Sequence, residues 1–155
     1  MSPATVADPA AITEVFARVP LLARLSDRQR SRMAQLATTR LYDEGSIIVK
    51  QGDTSMALYV VLSGRARIDR ESEAGKSVQV DEVEHGGFFG EMGLIEDMPR
   101  AATVTAEEPT ECALLAKWDF QNELRTDPDI ALALLPVLGA RIRELDDQLV
   151  RLHHS

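Results

Sequence analysis

The chain has 155 residues, 45% of them hydrophobic and 27% charged, a balance typical of one soluble globular domain with a core of its own. Its 17 Lys and Arg against 25 Asp and Glu leave a formal net charge of −8, which argues against broad attraction to nucleic acid or to anionic lipid. The single cysteine excludes an internal disulfide, which fits a reducing compartment. No stretch approaches the roughly 20 apolar residues of a membrane span. The sequence therefore predicts a cytoplasmic protein that is not inserted into a membrane.

The first block of the chain, residues 12–40, is predicted to be helical and to follow a flexible N-terminus at residues 1–11. Apolar residues recur there at helical spacing along one face, and Pro20 ends the pattern. A second helix is indicated by Ser26 with Gln29 three residues later, which is a capping-box pattern. Two short amphipathic helices are therefore expected before the chain changes character.

From residue 41 to residue 117 the hydrophobic period shortens towards two and turn residues arrive at close intervals. Strands this short, separated by glycine-containing turns, favour an antiparallel β-roll or jelly-roll barrel, because a parallel sheet would need helices between its strands. The predicted strands are 46–49, 57–62, 65–69, 77–83, 103–106 and 112–117.

The last block, residues 118–152, returns to helix. Trp118 is predicted to be a core or staple residue of this block, the alternative being a lid that stacks on a bound base. Asp127 and Pro128 are predicted to be the cap and the first residue of a long helix. Pro136 predicts a kink or a break of this helix near Leu135. A seam with alternating steps of three and four residues fits either packing on the protein's own barrel or a two-chain coiled coil that makes a homodimer, and it consists of Leu135, Leu138, Ile142, Leu145, Leu149 and Leu152.

The most informative segment is residues 88–104, FFGEMGLIEDMPRAATV, which interrupts the strand pattern with what reads as one helical turn. Backbone N–H groups beside Gly90 and Gly93 could approach an anion closely. Arg100 could pair with phosphate oxygens through two parallel hydrogen bonds, and Glu91 suits a hydroxyl that donates. Together these residues predict a binding site for a nucleotide whose phosphate is closely tied to its sugar.

This segment resembles the phosphate-binding cassette of the cyclic nucleotide-binding domain family, with Phe-Gly-Glu at 89–91 and Pro-Arg-Ala-Ala-Thr-Val at 99–104. The turn glycines and the Asp-Pro-Asp at 127–129 extend the resemblance over most of the chain. The resemblance implies a single domain at residues 12–152 that is mainly β with flanking helices. An antiparallel β-roll at 41–117 would lie between short N-terminal helices and a long C-terminal helix.

The resemblance also implies a role for each cassette residue. Glu91 would accept a hydrogen bond from the ribose 2′-hydroxyl, and Arg100 would bind the phosphate together with the N–H groups of Gly93 and Ala101. Family members with alanine directly after the cassette arginine tend to bind cAMP, whereas threonine or serine there goes with cGMP, so Ala101 favours cAMP. The expected ligand-binding residues are Gly90, Glu91, Met92, Gly93, Arg100 and Ala101.

These features predict a regulatory or sensor module that binds cyclic nucleotide, rearranges its C-terminal helix and signals to a separate effector of unknown identity. The alternative is a protein-interaction module of the same fold whose pocket is unused or differently occupied. An enzyme is not expected, because metal-dependent jelly-roll enzymes need clustered imidazole ligands and the β region contains a single histidine, His85. No metal and no cofactor are expected. Direct DNA binding is not expected either, since no helix-turn-helix follows the long helix before Ser155.

Overall fold

Three helices open the computed structural model, which describes residues 8–154. They are α1 (Pro9–Phe16), α2 (Pro20–Ala23) and α3 (Asp27–Leu36). Asp8 caps α1, and α3 begins with the capping box predicted from Ser26. Residues 9–11 lie in α1 rather than in the predicted flexible N-terminus, and residues 1–7 of that segment lie outside the described residues.

Eight antiparallel strands form two four-stranded sheets, and the predicted antiparallel β-roll is confirmed. The first sheet has the order β1 (Thr38–Tyr42), β8 (Thr110–Ala116), β3 (Ala57–Ser63) and β6 (Phe88–Phe89). The second has the order β2 (Ile47–Val49), β7 (Thr103–Ala106), β4 (Arg65–Glu71) and β5 (Ser77–Glu84). The segment between β6 and β7 therefore passes from one sheet to the other.

Strand β1 corrects the predicted boundary of the helical block, which extended to residue 40. Helix α3 ends at Leu36, and Thr38 and Thr39 pair instead with Leu114 and Ala113 of β8. The two threonines are β-branched and fit a pleated surface better than a helix. The sheet partner, more than 70 residues away in sequence, decides the conformation of this segment.

Two helices close the fold, α4 (Lys117–Thr126) and α5 (Pro128–His154). The N-cap predicted for α5 is present, since Asp127 accepts a hydrogen bond from the N–H of Asp129 at 3.3 Å. Helix α5 runs through Pro136 without the predicted break. Although α5 has 27 residues, no helix in the described part of the chain is apolar enough over sufficient length to span a membrane.

The core prediction for Trp118 is wrong, because 75% of its surface is exposed. Trp118 lies in the first turn of α4, where Phe120 occupies the buried side of the helix at 1% exposure. The helix therefore packs on the barrel through Phe120, two positions further along the chain.

Two apolar clusters hold the domain together. One packs α1, α2, α3 and α4 against β3 and β8, and it also anchors the start of α5 through Ile130 and Leu134. The other lies among the strands and includes Val61, Ala66 and Val104. Between them, the two clusters fix both ends of the segment that joins β6 to β7.

Candidate ligand-binding site

A cavity of about 300 Å³ opens where the second sheet meets the 3₁₀ turn Glu91–Leu94. This volume lies at the lower end of the roughly 300–1,000 Å³ range of small-molecule pockets. All six predicted ligand-binding residues line the cavity, and among its described lining residues the charged ones are Glu91 and Arg100. Its remaining walls are mostly apolar and come from Val49, Ile68, Phe88, Phe89, Met98 and Val104.

Arg100 is held rigidly at the edge of the cavity, with 9% of its surface exposed. Its backbone N–H donates to the carbonyl of Asp53 at 2.7 Å, and its carbonyl accepts from Gly52 at 2.9 Å. One guanidinium nitrogen, Nη2, donates to the carbonyl of Ala57 at 3.0 Å. The guanidinium carbon lies 5.2 Å from the ring centroid of Tyr59, which is a cation–π distance.

The other guanidinium nitrogen of Arg100, Nη1, is buried and has no hydrogen-bond partner among the described residues. Burial lowers the pKa of the Arg100 guanidinium, but an arginine keeps its charge at neutral pH. A buried cation with an unused donor is costly in an apolar environment. The cavity is therefore suited to an anion that can accept from Nη1.

Gly90 is required by both backbone conformation and space. Its φ is +83°, in the left-handed region that side chains avoid. A Cβ atom at this position would also collide with Nη1 of Arg100 and would lie 2.7 Å from the carbonyl oxygen of Ala57. Any larger residue at position 90 would therefore require a shift of the Arg100 guanidinium and of the backbone at Ala57.

Glu91, only 6% exposed, connects the cavity to two helices. Its Oε2 accepts from the backbone N–H of Leu21 in α2 at 2.8 Å, and its Oε1 pairs with Nη2 of Arg141 in α5 at 2.6 Å. The second terminal nitrogen of Arg141 lies 2.9 Å from the sulfur of Met92. The carboxylate on the cavity wall is thus joined to both the N-terminal and the C-terminal helices.

The remaining cassette residues lie around the same opening. The N–H of Gly93, expected to donate to phosphate, donates to the carbonyl of Gly90 at 3.1 Å within the 3₁₀ turn. Ala101 is exposed at the mouth of the cavity. The predicted residues are therefore assembled in one place, but the Gly93 amide has a protein partner in this structure.

Sequence reasoning missed several residues that build the site. Arg141 and Leu21 contact Glu91 across 50 and 70 positions of sequence, and no local pattern points to either contact. Ser55 lines the cavity from the loop before β3, and Tyr59 supports Arg100 by stacking on Phe89 with ring centroids 5.0 Å apart. For Tyr59, the sequence indicated only that it lies on a predicted strand.

A larger cleft of about 690 Å³ lies between α3 and the start of α5, and its lining is polar. Two of its three acidic residues have side-chain partners, since Glu123 pairs with Arg32 at 3.1 Å and Asp127 accepts from Gln29 at 3.1 Å. In the part of the chain that the structure describes, this cleft holds no buried side-chain atom that lacks a partner. The smaller cavity is the better candidate for a ligand site.

Comparison with known proteins gives a family match over residues 39–127, to the cyclic nucleotide-binding domain. This range includes every cassette residue and both sheets except the first residue of β1.

Among curated relatives, the chain is 37% identical over 115 residues to the cAMP-dependent protein kinase regulatory subunit of Mucor circinelloides. The aligned region covers 74% of this chain and 27% of that protein. It is also 37% identical over 110 residues to the cyclic AMP receptor protein of Thermus thermophilus, covering 71% of this chain and 51% of the relative. The chain thus spans between about a quarter and a half of these relatives. Among solved structures, the N-terminal domain of a transcriptional regulator from Streptomyces coelicolor A3(2) superimposes with a TM-score of 0.80 at 30% identity, covering 87% of this chain and 94% of that one.

Proposed function

The chain belongs to the cyclic nucleotide-binding domain family, and on that premise we propose that its cavity binds a cyclic nucleotide, with cAMP preferred to cGMP. The observation that carries the proposal is Nη1 of Arg100, a buried cationic donor that has no hydrogen-bond partner among the described residues and belongs to a residue lining a mostly apolar cavity. The cyclic phosphate supplies the anion, and the apolar walls suit the faces of the sugar and base. With a net charge of −8, the protein needs such a local positive site to attract an anionic ligand.

Glu91 is proposed to accept a hydrogen bond from the ribose 2′-hydroxyl. Each of its oxygens already accepts one hydrogen bond, from Leu21 or from Arg141. An ionised carboxylate offers about four acceptor positions, so the ribose can be added without removing either protein partner. The ligand then shares an acceptor with α2 and α5.

That shared acceptor supports a regulatory role in which the arrangement of α5 responds to the ligand and acts on a separate effector protein. A ligand changes a conformational equilibrium only through its different affinities for the two arrangements. Arg141 joins α5 to the ribose-binding carboxylate and so provides a contact whose strength can differ between them. The identity of the effector does not follow from the site.

We expect the substitution Arg141→Met to lower both stability and affinity. Without Arg141, the buried Glu91 carboxylate keeps only the Leu21 amide, and the free energy of unfolding should fall by roughly 1.5–3 kcal/mol. The affinity for cAMP should fall about tenfold because Glu91 is no longer oriented. Denaturant unfolding and calorimetric titration measure the two effects.

Arg143→Met is the matched control for Arg141, because Arg143 is an exposed arginine two residues further along the same helix. It should leave both quantities near the wild-type values. Because coupling between sites is reciprocal, a loss of stability in Arg141→Met with unchanged cAMP affinity would contradict a role for this contact in signalling.

Calorimetric titration of the wild-type chain with cAMP and with cGMP tests the proposed ligand, and cAMP should bind more tightly. Ala101→Thr should reduce that preference by about fivefold, because the introduced hydroxyl adds one hydrogen bond available to guanine. Ala74→Thr, at an exposed alanine in the turn between β4 and β5, is the control and should leave the preference unchanged. Absence of binding by either nucleotide would favour the alternative, a protein-interaction module with an unused pocket.

A homodimer through α5 is part of the proposal. Within one protomer, the predicted seam is largely exposed, including Ile142 at 67%, Leu149 at 57% and Leu152 at 72%. From Leu135 to Leu152 the seam runs for roughly 26 Å at 1.5 Å per residue. An apolar stripe of this length with heptad spacing is typical of a two-chain coiled coil.

We propose no catalytic activity. Neither histidine nor cysteine is among the described lining residues of the cavity. The names of the relatives compared above describe a regulatory subunit and a receptor. We further propose a cytoplasmic location, since the only cysteine, Cys112, is buried and free, as suits a reducing compartment.

A further inference from the structure

Ser55 has an unusual environment for a serine. It lies in the loop between β2 and β3 with 3% of its surface exposed, and its side chain lines the ligand cavity. Its hydroxyl makes no hydrogen bond to any residue that the structure describes. The large majority of buried hydroxyl groups in proteins are hydrogen-bonded, because an unsatisfied hydroxyl loses its hydrogen bonds to water without compensation.

The position of Ser55 relative to the cassette is tightly fixed. Its backbone N–H donates to the carbonyl of Met98 at 2.7 Å, and the N–H of Arg100 donates to the carbonyl of Asp53 in the same loop at 2.7 Å. A bridge between Thr54 and Pro99 lies between these two bonds. The loop that carries Ser55 and the segment that carries Arg100 are therefore bound together along their length.

The hydroxyl of Ser55 also lies directly against the 3₁₀ turn. A Cβ atom at Gly93 would collide with Oγ of Ser55 and would lie 2.8 Å from its Cβ. Glycine at 93 thus leaves the space that the serine hydroxyl occupies beside the cassette backbone.

Two buried side-chain atoms lack a hydrogen-bond partner among the described residues, and both belong to residues that line this cavity: Nη1 of Arg100 and Oγ of Ser55. One is a cationic donor and the other is a hydroxyl that can donate. A phosphate diester has two exocyclic oxygens that accept hydrogen bonds and so can satisfy both groups.

We infer that Ser55 is a ligand-binding residue whose hydroxyl donates to an exocyclic phosphate oxygen of the bound cyclic nucleotide. This inference rests on the proposed function, and it extends the phosphate site from the cassette to the β2–β3 loop. Since the hydroxyl has no hydrogen-bond partner among the described residues, its removal should weaken ligand binding without lowering the stability of the protein.

The test compares Ser55→Ala with Ser63→Ala, an exposed serine at the end of β3. Calorimetric titration with cAMP should show a loss of affinity of about tenfold or more for Ser55→Ala and no change for Ser63→Ala. The melting temperature of ligand-free Ser55→Ala should equal or exceed that of the wild type, because a buried unsatisfied group has been removed.

A second measurement uses the two phosphorothioate diastereomers of cAMP, in which sulfur replaces one or the other exocyclic oxygen. Sulfur is a weak acceptor, so wild type should discriminate between them according to which exocyclic position faces Ser55. Ser55→Ala should change the ratio of the two affinities at least threefold, because only one diastereomer places an oxygen opposite the serine.

The outcomes separate this inference from the proposed function. If wild type binds cAMP and Ser55→Ala matches Ser63→Ala in affinity and diastereomer ratio, the role of Ser55 is overturned and the proposed function stands. If Ser55→Ala lowers the melting temperature and weakens both diastereomers equally, Ser55 is a structural residue and the inference is again overturned. If the wild-type protein binds no cyclic nucleotide, the proposed function and the inference about Ser55 are both overturned.

Discussion

Replacing Arg100 by alanine is expected to lower the affinity for cAMP by roughly two to three orders of magnitude. The substitution removes the positive charge from a cavity whose other charged lining residue, among those described, is the carboxylate of Glu91. Phosphate would then be buried in an apolar environment beside a negative charge and without the Nη1 donor of a guanidinium. Calorimetric titration of wild type and variant measures the loss directly.

Two further variants make the Arg100 result specific. Arg100→Lys keeps the charge but not the planar fork, so it should retain part of the affinity and fall between wild type and Arg100→Ala. Arg70→Ala removes an exposed arginine from β4 and should bind as wild type does. A folded Arg100→Ala protein with wild-type affinity for cAMP would overturn the assignment of the cavity as the phosphate site.

Introducing two charges into the seam of α5, with Ile142→Asp and Leu149→Asp together, is expected to convert a dimer into a monomer. Each carboxylate would have to be buried against an apolar partner helix in both protomers, and the dissociation constant of the dimer should rise at least about hundredfold. Both side chains are exposed within one protomer, so the fold itself should be retained. Sedimentation of both proteins over a range of concentrations measures the change.

Arg143→Asp is the matched control for the seam variant, because this single substitution changes the net charge by the same two units. Arg143 directly follows Ile142 but lies off the seam, and its change should leave the dimer intact. Circular dichroism confirms that each variant keeps its secondary structure. Wild-type protein that sediments as a monomer at high concentration would contradict the proposed dimer.

The sequence predicted those parts of the site that depend on neighbouring residues. The interruption of the strand pattern at residues 90–96 indicated a helical turn, and the structure has a 3₁₀ helix at Glu91–Leu94. Arg100 was predicted beside that turn because the next strand begins at Thr103. Local order along the chain was enough to bring together the six cassette residues predicted to bind the ligand.

The rest of the site depends on contacts that local patterns do not contain. Arg141 reads as one of several charged residues on a long helix, and its contact with Glu91 exists only once α5 packs beside the cassette. Ser55 reads as an ordinary turn residue until the loop before β3 joins the segment that leads to Arg100. Strand β1 was missed for the same reason, since its conformation comes from pairing with β8.

Helix α5 is built from two unequal parts that meet near Pro136. Before it, Ile130 and Leu134 are buried in the core, whereas residues 142–153 are exposed. Proline cannot donate to the carbonyl four residues earlier, so resistance to bending is lowest at this point. From there to Leu152 is roughly 24 Å, and a tilt of about 10° would sweep the far end through about 4 Å. Because Leu152 lies about three times as far from Pro136 as Arg141 does, a bend at Pro136 would displace the end of the helix about three times as far as it displaces the contact between Arg141 and Glu91.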